Sequence, residues 1–382
     1  MDTTTPLPPT KGKFHVELES ARGVAALLVA GFHCAQAPVL LGGQSVFLRA
    51  VPESGWFWKF LHLLHEQIVY SNEPLHHGVL FFFVLSGFLL TESLELGPAG
   101  IGRSGARFFL ARLFRIYPAI VATVLIFWGV QQVFGNTLVQ PPNSLSNLLR
   151  NLLLIEVNLD GVMWTLQVEF LAIPLLFAAF LLYRLWGAGA AALPALGFWS
   201  LAFVGPWVRW GSHGPSRTAW LYTFLIGALG YYLCRKICAR WRRATSTAVF
   251  FLCVICFFTL GLLVHQQWQT AGKAIAAALL ITVLAFGPRL SVSALLRTGP
   301  LRFLGRVSYS FYLLHPLTLL VIWRQPDLFG RWVQSGVPPI ALSLALWLIT
   351  TLAIAPLAWL MYRTVELPAV RLGKRLWRRS AA

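Results

Sequence analysis

The chain has 382 residues, of which 57% are hydrophobic and 12% charged, and its formal net charge at pH 7 is +18. Soluble domains carry roughly a quarter of their residues as Asp, Glu, Lys and Arg, so the low charged fraction excludes a water-soluble globule of this length. The basic residues lie in short clusters between apolar runs, which indicates a membrane protein in contact with a lipid bilayer and no nucleic-acid partner.

Ten apolar runs are long enough to cross a bilayer as helices, which predicts an all-α, polytopic transmembrane bundle. Residues 1–13 form a polar leader, 14–370 one membrane-embedded domain, and 371–382 a basic cytoplasmic tail. The predicted spans are 22–41, 75–94, 115–134, 162–183, 188–206, 218–234, 246–264, 273–288, 307–323 and 338–362.

Alternate connections between the spans hold most of the arginines and lysines. The clusters fall at 103–112, 184, 235–243, 289–306 and in the tail, whereas the opposite connections carry scattered single charges. Because cytoplasmic loops are enriched in Arg and Lys, this alternation predicts that both termini lie in the cytoplasm.

Two local patterns have other interpretations. Ala35-Gln36-Ala37 resembles a signal-peptidase site, but Glu17 and Glu19 are unusual in the basic start of a signal peptide. Cys234 and Cys238, with Cys253 and Cys256, superficially resemble paired zinc ligands. No His or carboxylate stands beside either pair, so we expect ordinary apolar helix residues and no metal site.

Ionisable residues inside spans are costly and are therefore functional candidates. Arg22 and His33 are eleven residues apart, which is three helical turns plus about 20°, so both project from one face with about 16 Å between them. The alternative is an arginine that extends to the membrane surface and a histidine packed between helices.

The estimated depth in the membrane places further residues at about the level of His33. Counting from the predicted span ends, His33 and Glu169 lie roughly 14 Å and 11 Å below the outer surface. We therefore expect His33 and Glu169 to pair, with the carboxylate orienting the imidazole as a general base. The alternative for Glu169 is a hydrogen bond between helices. Ser86 and His315 also fall near mid-membrane.

At the inner surface, Arg112 and Arg115 stand at i and i+3 where the third span begins, and therefore share a face. Paired guanidinium groups suit phosphate, although anchoring of the span to the cytoplasmic side is the common alternative. Ser308, Tyr312 and His315 share another face, where a polar seam between helices is the alternative to a pocket.

Five segments in order resemble the acyltransferase-3 family of bacterial integral-membrane O-acyltransferases. They are ESARGVAALLVAGFH at 19–33, GVLFFFVLSGFLL at 78–90, RLFRIYP at 112–118, WTLQVEF at 164–170 and FLGRVSYSFYLLHP at 303–316, with a closing VELP at 365–368. Many relatives have an aspartate early in the first segment, where this chain has Glu17, Glu19 and Ser20.

The resemblance implies transfer of an acyl group, usually acetyl, from cytoplasmic acyl-CoA to a hydroxyl, with acyl-CoA as co-substrate and no tightly bound cofactor. It implies a multi-pass protein of the bacterial inner (cytoplasmic) membrane. His33 and Arg22 match the family's essential histidine and its arginine, and His33 would either remove the acceptor proton or transiently carry the acyl group. Arg112 and Arg115 match the family's paired arginines, which contact the CoA phosphates. Larger members carry a periplasmic hydrolase-like domain; here the enzyme would finish the transfer alone or with a separate periplasmic partner.

The acceptor implied by the resemblance is a glycan or glycolipid, such as a surface or secreted polysaccharide or its lipid-linked precursor, or else a macrolide or another small molecule. Glu169 is placed with His33 as a catalytic residue, and the second-rank pocket residues are Ser86, Tyr309, Tyr312 and His315. Rival functions are a glycan transporter or flippase, for which no inverted repeat is visible, and a non-catalytic membrane scaffold.

Overall fold

The computed structural model describes residues 15–40, 55–69, 75–97, 101–134, 144–204, 217–262, 266–323, 331 and 337–381. Within these ranges the chain forms helices and no β-strand, which confirms the all-α prediction.

Every predicted span overlaps a helix. The α-helices are α1 Val16–Leu40, α2 Trp56–Ile68, α3 His77–Glu95, α4 Ile101–Phe134, α5 Leu145–Leu152, α6 Trp164–Trp186, α7 Ala188–Val204, α8 Leu221–Leu229, α9 Arg235–Cys238, α10 Arg243–Thr259, α11 Gln266–Phe286, α12 Gly299–Leu314, α13 Pro316–Trp323, α14 Pro339–Met361 and α15 Leu367–Ala381. Single turns of π-helix join α8 to α9 and α14 to α15.

Five helical stretches among the described residues are long and apolar enough to cross a membrane. They are His77–Glu95, Gly105–Val133, Gly161–Trp186, Trp268–Phe286 and Ile340–Trp377. The chain is therefore membrane-integral, whereas the total of ten crossings and the side on which the termini lie stay predictions.

Side-chain contacts show how the central helices run. α1 and α12 run in the same direction, because Arg22 contacts Ser308 and, further along both helices, His33 contacts His315. α3 runs the opposite way, since His76 at its start lies beside the His33 ring. These are the relative directions that alternation of the first, second and ninth predicted spans requires.

Glycines allow α3 and α8 to cross with their backbones in contact. A Cβ atom on Gly87 would overlap the carbonyl group of Phe224, and a Cβ on Gly227 would overlap that of Val84. Phe83 stacks on Phe224 beside the crossing, with 4.6 Å between ring centroids. Small residues that permit such close approach are a common basis of helix association in membranes.

Three features lie outside the predicted spans. The short helices α2 and α5 lie in connections between predicted spans. Ser144 Oγ caps α5 by accepting a hydrogen bond from Asn147 N. The predicted boundary between domain and tail, at 370, falls inside α15. That helix packs against α4, where a Cβ on Gly373 would lie 2.8 Å from Phe114 Cβ, so residues 371–381 continue the helical structure.

Candidate active site

A cavity of about 260 Å³ lies between α1, α3, α4, α6 and α12. Apolar side chains, among them Val79, Phe82 and Leu166, form much of its wall. Seven of the nine predicted site residues line it: Arg22, Ser86, Arg112, Arg115, Glu169, Tyr309 and Tyr312. The remaining two, His33 and His315, lie outside this cavity.

Arg22 is held inside the bundle. Its Nε donates to Ser308 Oγ at 2.8 Å and its Nη2 to the Gly305 carbonyl oxygen at 3.1 Å, both on α12. The helices approach closely there, since a Cβ on Gly23 would lie 2.6 Å from Gly305 N. Arg22 therefore faces α12 inside the bundle, and α1 begins six residues before it, at Val16.

Glu169 on α6 is surrounded by basic groups. Ser86 Oγ donates to its Oε1 at 3.5 Å, and Arg112, Arg115 and Arg22 are its cationic neighbours. The cavity wall thus carries three guanidinium groups and one carboxylate, with Glu19 and Glu366 as further acidic neighbours of Arg22. A site of this kind, enclosed by apolar side chains, favours an anionic ligand.

Arg112 has unused hydrogen-bonding capacity. Its Nε is buried and has no hydrogen-bond partner among the described residues. A buried donor without a partner costs free energy, typically about 1–3 kcal/mol, so such groups are rare and need an explanation. Arg112 and Arg115 both line the cavity, which confirms that their spacing puts them on one face.

His33 pairs with a second histidine. Its Nδ1 lies 2.9 Å from His315 Nε2, and the two rings meet edge to edge with centroids 5.1 Å apart and planes 26° from parallel. His315 is fully buried, and its Nδ1 lies 2.6 Å from the Tyr312 carbonyl oxygen. Arg22 and His33 thus both contact α12, which confirms that they share one face of α1.

The predicted contact between His33 and Glu169 is wrong. The rings of His33 and His76 lie 6.1 Å apart, whereas Glu169 contacts Ser86, ten residues further along α3. At 1.5 Å per residue the two levels are separated by about 15 Å along that helix. The depth estimate failed because it took Arg22 as the membrane edge; Arg22 itself lies at the level of Glu169, in the same cavity.

The two tyrosines fix α12 against its neighbours. Tyr309 Oη donates to the Ile116 carbonyl oxygen of α4 at 3.1 Å. Tyr312 Oη lies 2.9 Å from Thr165 Oγ1 and 2.8 Å from the Val162 carbonyl oxygen. Tyr312 also lines the cavity and lies about one helical turn before His315. It therefore connects the polar residues of the cavity with the pair of His33 and His315.

Sequence reasoning missed three neighbours of the site. Thr165 follows the tryptophan of the fourth segment, and Glu366, in the closing VELP, accepts a hydrogen bond from Ser310. His76 stacks on Phe32 with ring centroids 4.5 Å apart. The pair of adjacent histidines at the start of the second predicted span was the available signal for His76.

Comparison with known proteins identifies the family of the chain. A family model described as an acyltransferase domain, acyltransferase-3, matches residues 15–363. Nodulation protein 10 of Rhizobium leguminosarum bv. viciae is 26% identical over 374 residues, covering 84% of this chain and 89% of that protein. The comparison with solved structures found no match. The chain therefore belongs to the acyltransferase-3 family and is an O-acyltransferase.

Proposed function

We propose that this enzyme, in the bacterial inner membrane, moves an acyl group, in the simplest case acetyl, from cytoplasmic acyl-CoA to a hydroxyl of a glycan. The acceptor is a surface or secreted polysaccharide or its lipid-linked precursor. The observation that carries the proposal is the cavity lined by three arginines, one of which, Arg112, has a buried Nε without a partner among the described residues. Acyl-CoA is a polyanion, and its phosphates are ligands that arginine binds with charge-assisted hydrogen bonds.

The size of the cavity limits which part of the donor enters. A volume of about 260 Å³ lies below the roughly 300–1,000 Å³ of pockets that enclose drug-sized ligands. Acyl-CoA is larger than such ligands, so the cavity takes a phosphate group and the adjoining part of the pantetheine arm. Arg112, Arg115 and Arg22 supply the positive charge, and the apolar wall along α3 accommodates the arm.

His33 supplies the reactive nitrogen in this proposal. Acting as general base, it takes the proton of the acceptor hydroxyl while the hydroxyl oxygen attacks the thioester carbonyl carbon. The C–S bond breaks and CoA leaves as the thiolate. Alternatively His33 attacks the thioester itself, carries the acyl group on its ring nitrogen, and passes it to the hydroxyl in a second step. Both routes need an unprotonated nitrogen on His33.

Glu169 takes a different role from the one that the sequence suggested. It lies among the three arginines rather than beside His33. In the absence of donor it balances part of their charge, and it keeps the guanidinium groups directed into the cavity. Its contribution is therefore to donor binding rather than to orientation of the imidazole.

The test uses the full-length protein in nanodiscs with acetyl-CoA and no acceptor. We expect slow release of CoA thiol, because water can replace the hydroxyl, and its loss in His33→Ala. Arg107→Ala, on the exposed face of α4, is the control and should match wild type. A wild-type protein that binds no acetyl-CoA and releases no thiol above an empty-nanodisc background would overturn the proposal and favour transport or scaffolding.

A further inference from the structure

His315 makes two hydrogen bonds that together define its protonation. Its Nδ1 lies 2.6 Å from the backbone carbonyl oxygen of Tyr312. A carbonyl oxygen can only accept, so His315 Nδ1 carries a hydrogen and donates it. A doubly protonated His315 would bury a full positive charge with no carboxylate contact among the described residues, at large cost. The ring is therefore neutral, and its Nε2 is an acceptor.

The same reasoning extends to His33. Because His315 Nε2 is an acceptor, the 2.9 Å contact requires that His33 Nδ1 carries the hydrogen. A neutral imidazole has one N–H, so His33 Nε2 is left with a free lone pair. Resting on the proposed function, we infer that His315 is a positioning residue that holds His33 in the tautomer whose reactive nitrogen is Nε2.

The surroundings restrict the His33 ring to this arrangement. Its plane lies 26° from that of the His315 ring, as an in-plane hydrogen bond requires, and it meets the Phe32 ring edge-on at 5.4 Å between centroids. In water the Nε2–H tautomer of histidine is the commoner one, so the Nδ1–H form has to be imposed by a partner. The ring also lies against the backbone of Val29, one turn earlier on α1, and Nε2 is the nitrogen that the bond to His315 leaves for a substrate.

The chain of hydrogen bonds serves both chemical routes. If His33 Nε2 takes a proton, the imidazolium keeps its Nδ1–H donated to a neutral acceptor that adds no second charge. If Nε2 takes the acyl group, the same bond stabilises the cationic acylated ring. His315 thus supports either step through His33 and without touching the substrate.

The activity test compares His315→Leu, which removes the acceptor, with His315→Gln, whose side-chain amide can accept at the position of Nε2. We expect kcat to fall about 10- to 1000-fold in the leucine variant, in the range supplied by groups that orient a catalytic histidine, with KM for acetyl-CoA unchanged. Glutamine should recover at least about tenfold of that loss. His65→Leu, which removes another buried histidine, is the control and should keep wild-type kcat.

A spectroscopic test does not depend on activity. The protein is labelled with ¹⁵N-histidine in bilayers, and solid-state NMR identifies the His33 signals by their absence from His33→Ala. We expect the Nδ1–H tautomer in wild type and His315→Gln, and the Nε2–H tautomer in His315→Leu. An Nε2–H signal in wild type, or a glutamine variant no faster than leucine, would overturn the inference. A wild type with the expected tautomer but no acyl transfer would instead count against the proposed function alone.

Discussion

Arg22 Nε donates a hydrogen bond to Ser308 Oγ over 2.8 Å and joins α1 to α12 across 286 positions of the chain. This contact holds the guanidinium group inside the bundle, on the wall of the cavity that also contains Glu169. Together with Arg112 and Arg115 it puts three guanidinium groups on the cavity wall. The first prediction follows from these arginines.

Arg112→Ala or Arg115→Ala should weaken acetyl-CoA binding about 10- to 150-fold. Each substitution removes a charge-assisted contact worth roughly 1.5–3 kcal/mol. Lysine at either position should restore binding only in part, because it lacks the planar guanidinium fork. Isothermal titration calorimetry on the purified protein measures the Kd, with Arg107→Ala as the exposed control on the same helix. Wild-type Kd values in both alanine variants would show that these arginines only anchor the span.

Glu169→Gln and His315→Gln should act independently on the transfer rate. The two side chains lie at different levels of the bundle, in contact with Ser86 and His33 respectively. Effects of substitutions at such separated sites usually add within about 0.5 kcal/mol, so the fold-losses should multiply in the double variant. Steady-state kcat/KM of wild type, both single variants and the double variant measures this. A double variant no slower than the worse single variant would restore the hypothesis that Glu169 orients His33.

Gly87→Ala should destabilise the crossing of α3 and α8. The new Cβ would overlap the carbonyl group of Phe224, a backbone atom that cannot turn aside. Overpacking of this kind typically costs about 1–3 kcal/mol. Gly129→Ala, on α4 where a Cβ meets nothing within 4 Å, is the matched control and should be neutral or stabilising by up to about 1 kcal/mol. Thermal unfolding in nanodiscs compares the two; an equal Tm for Gly87→Ala and wild type would contradict the close crossing.

Reporter fusions should reveal the topology that the Arg and Lys asymmetry predicts. Fusions after residues 105, 240 and 300 should report the cytoplasm, and fusions near 140, 212 and 330 the opposite side. Alkaline phosphatase and green fluorescent protein at each site give complementary signals. A phosphatase signal at 240 would break the ten-span arrangement, because it would invert every later connection.

Much of the helical structure could be predicted because it depends on local periodicity. Apolar runs predict helices by their length, and every predicted span overlaps one. The same periodicity of 3.6 residues put Arg22 and His33 on one face of α1, and Arg112 and Arg115 on one face of α4, where the structure has them. On one regular helix, the relative directions of two side chains follow from their spacing in the sequence alone.

The partner of His33 was decided only by the tertiary structure. Whether His33 meets Glu169 or His315 depends on the level at which α1 packs against α6 and α12, which no periodicity encodes. That level is set by backbone contacts at glycines such as Gly23 and Gly305, and by the hydrogen bonds of Arg22 inside the bundle. The sequence by itself therefore determined which residues share a helix face, and packing of distant segments determined which faces meet and at what height.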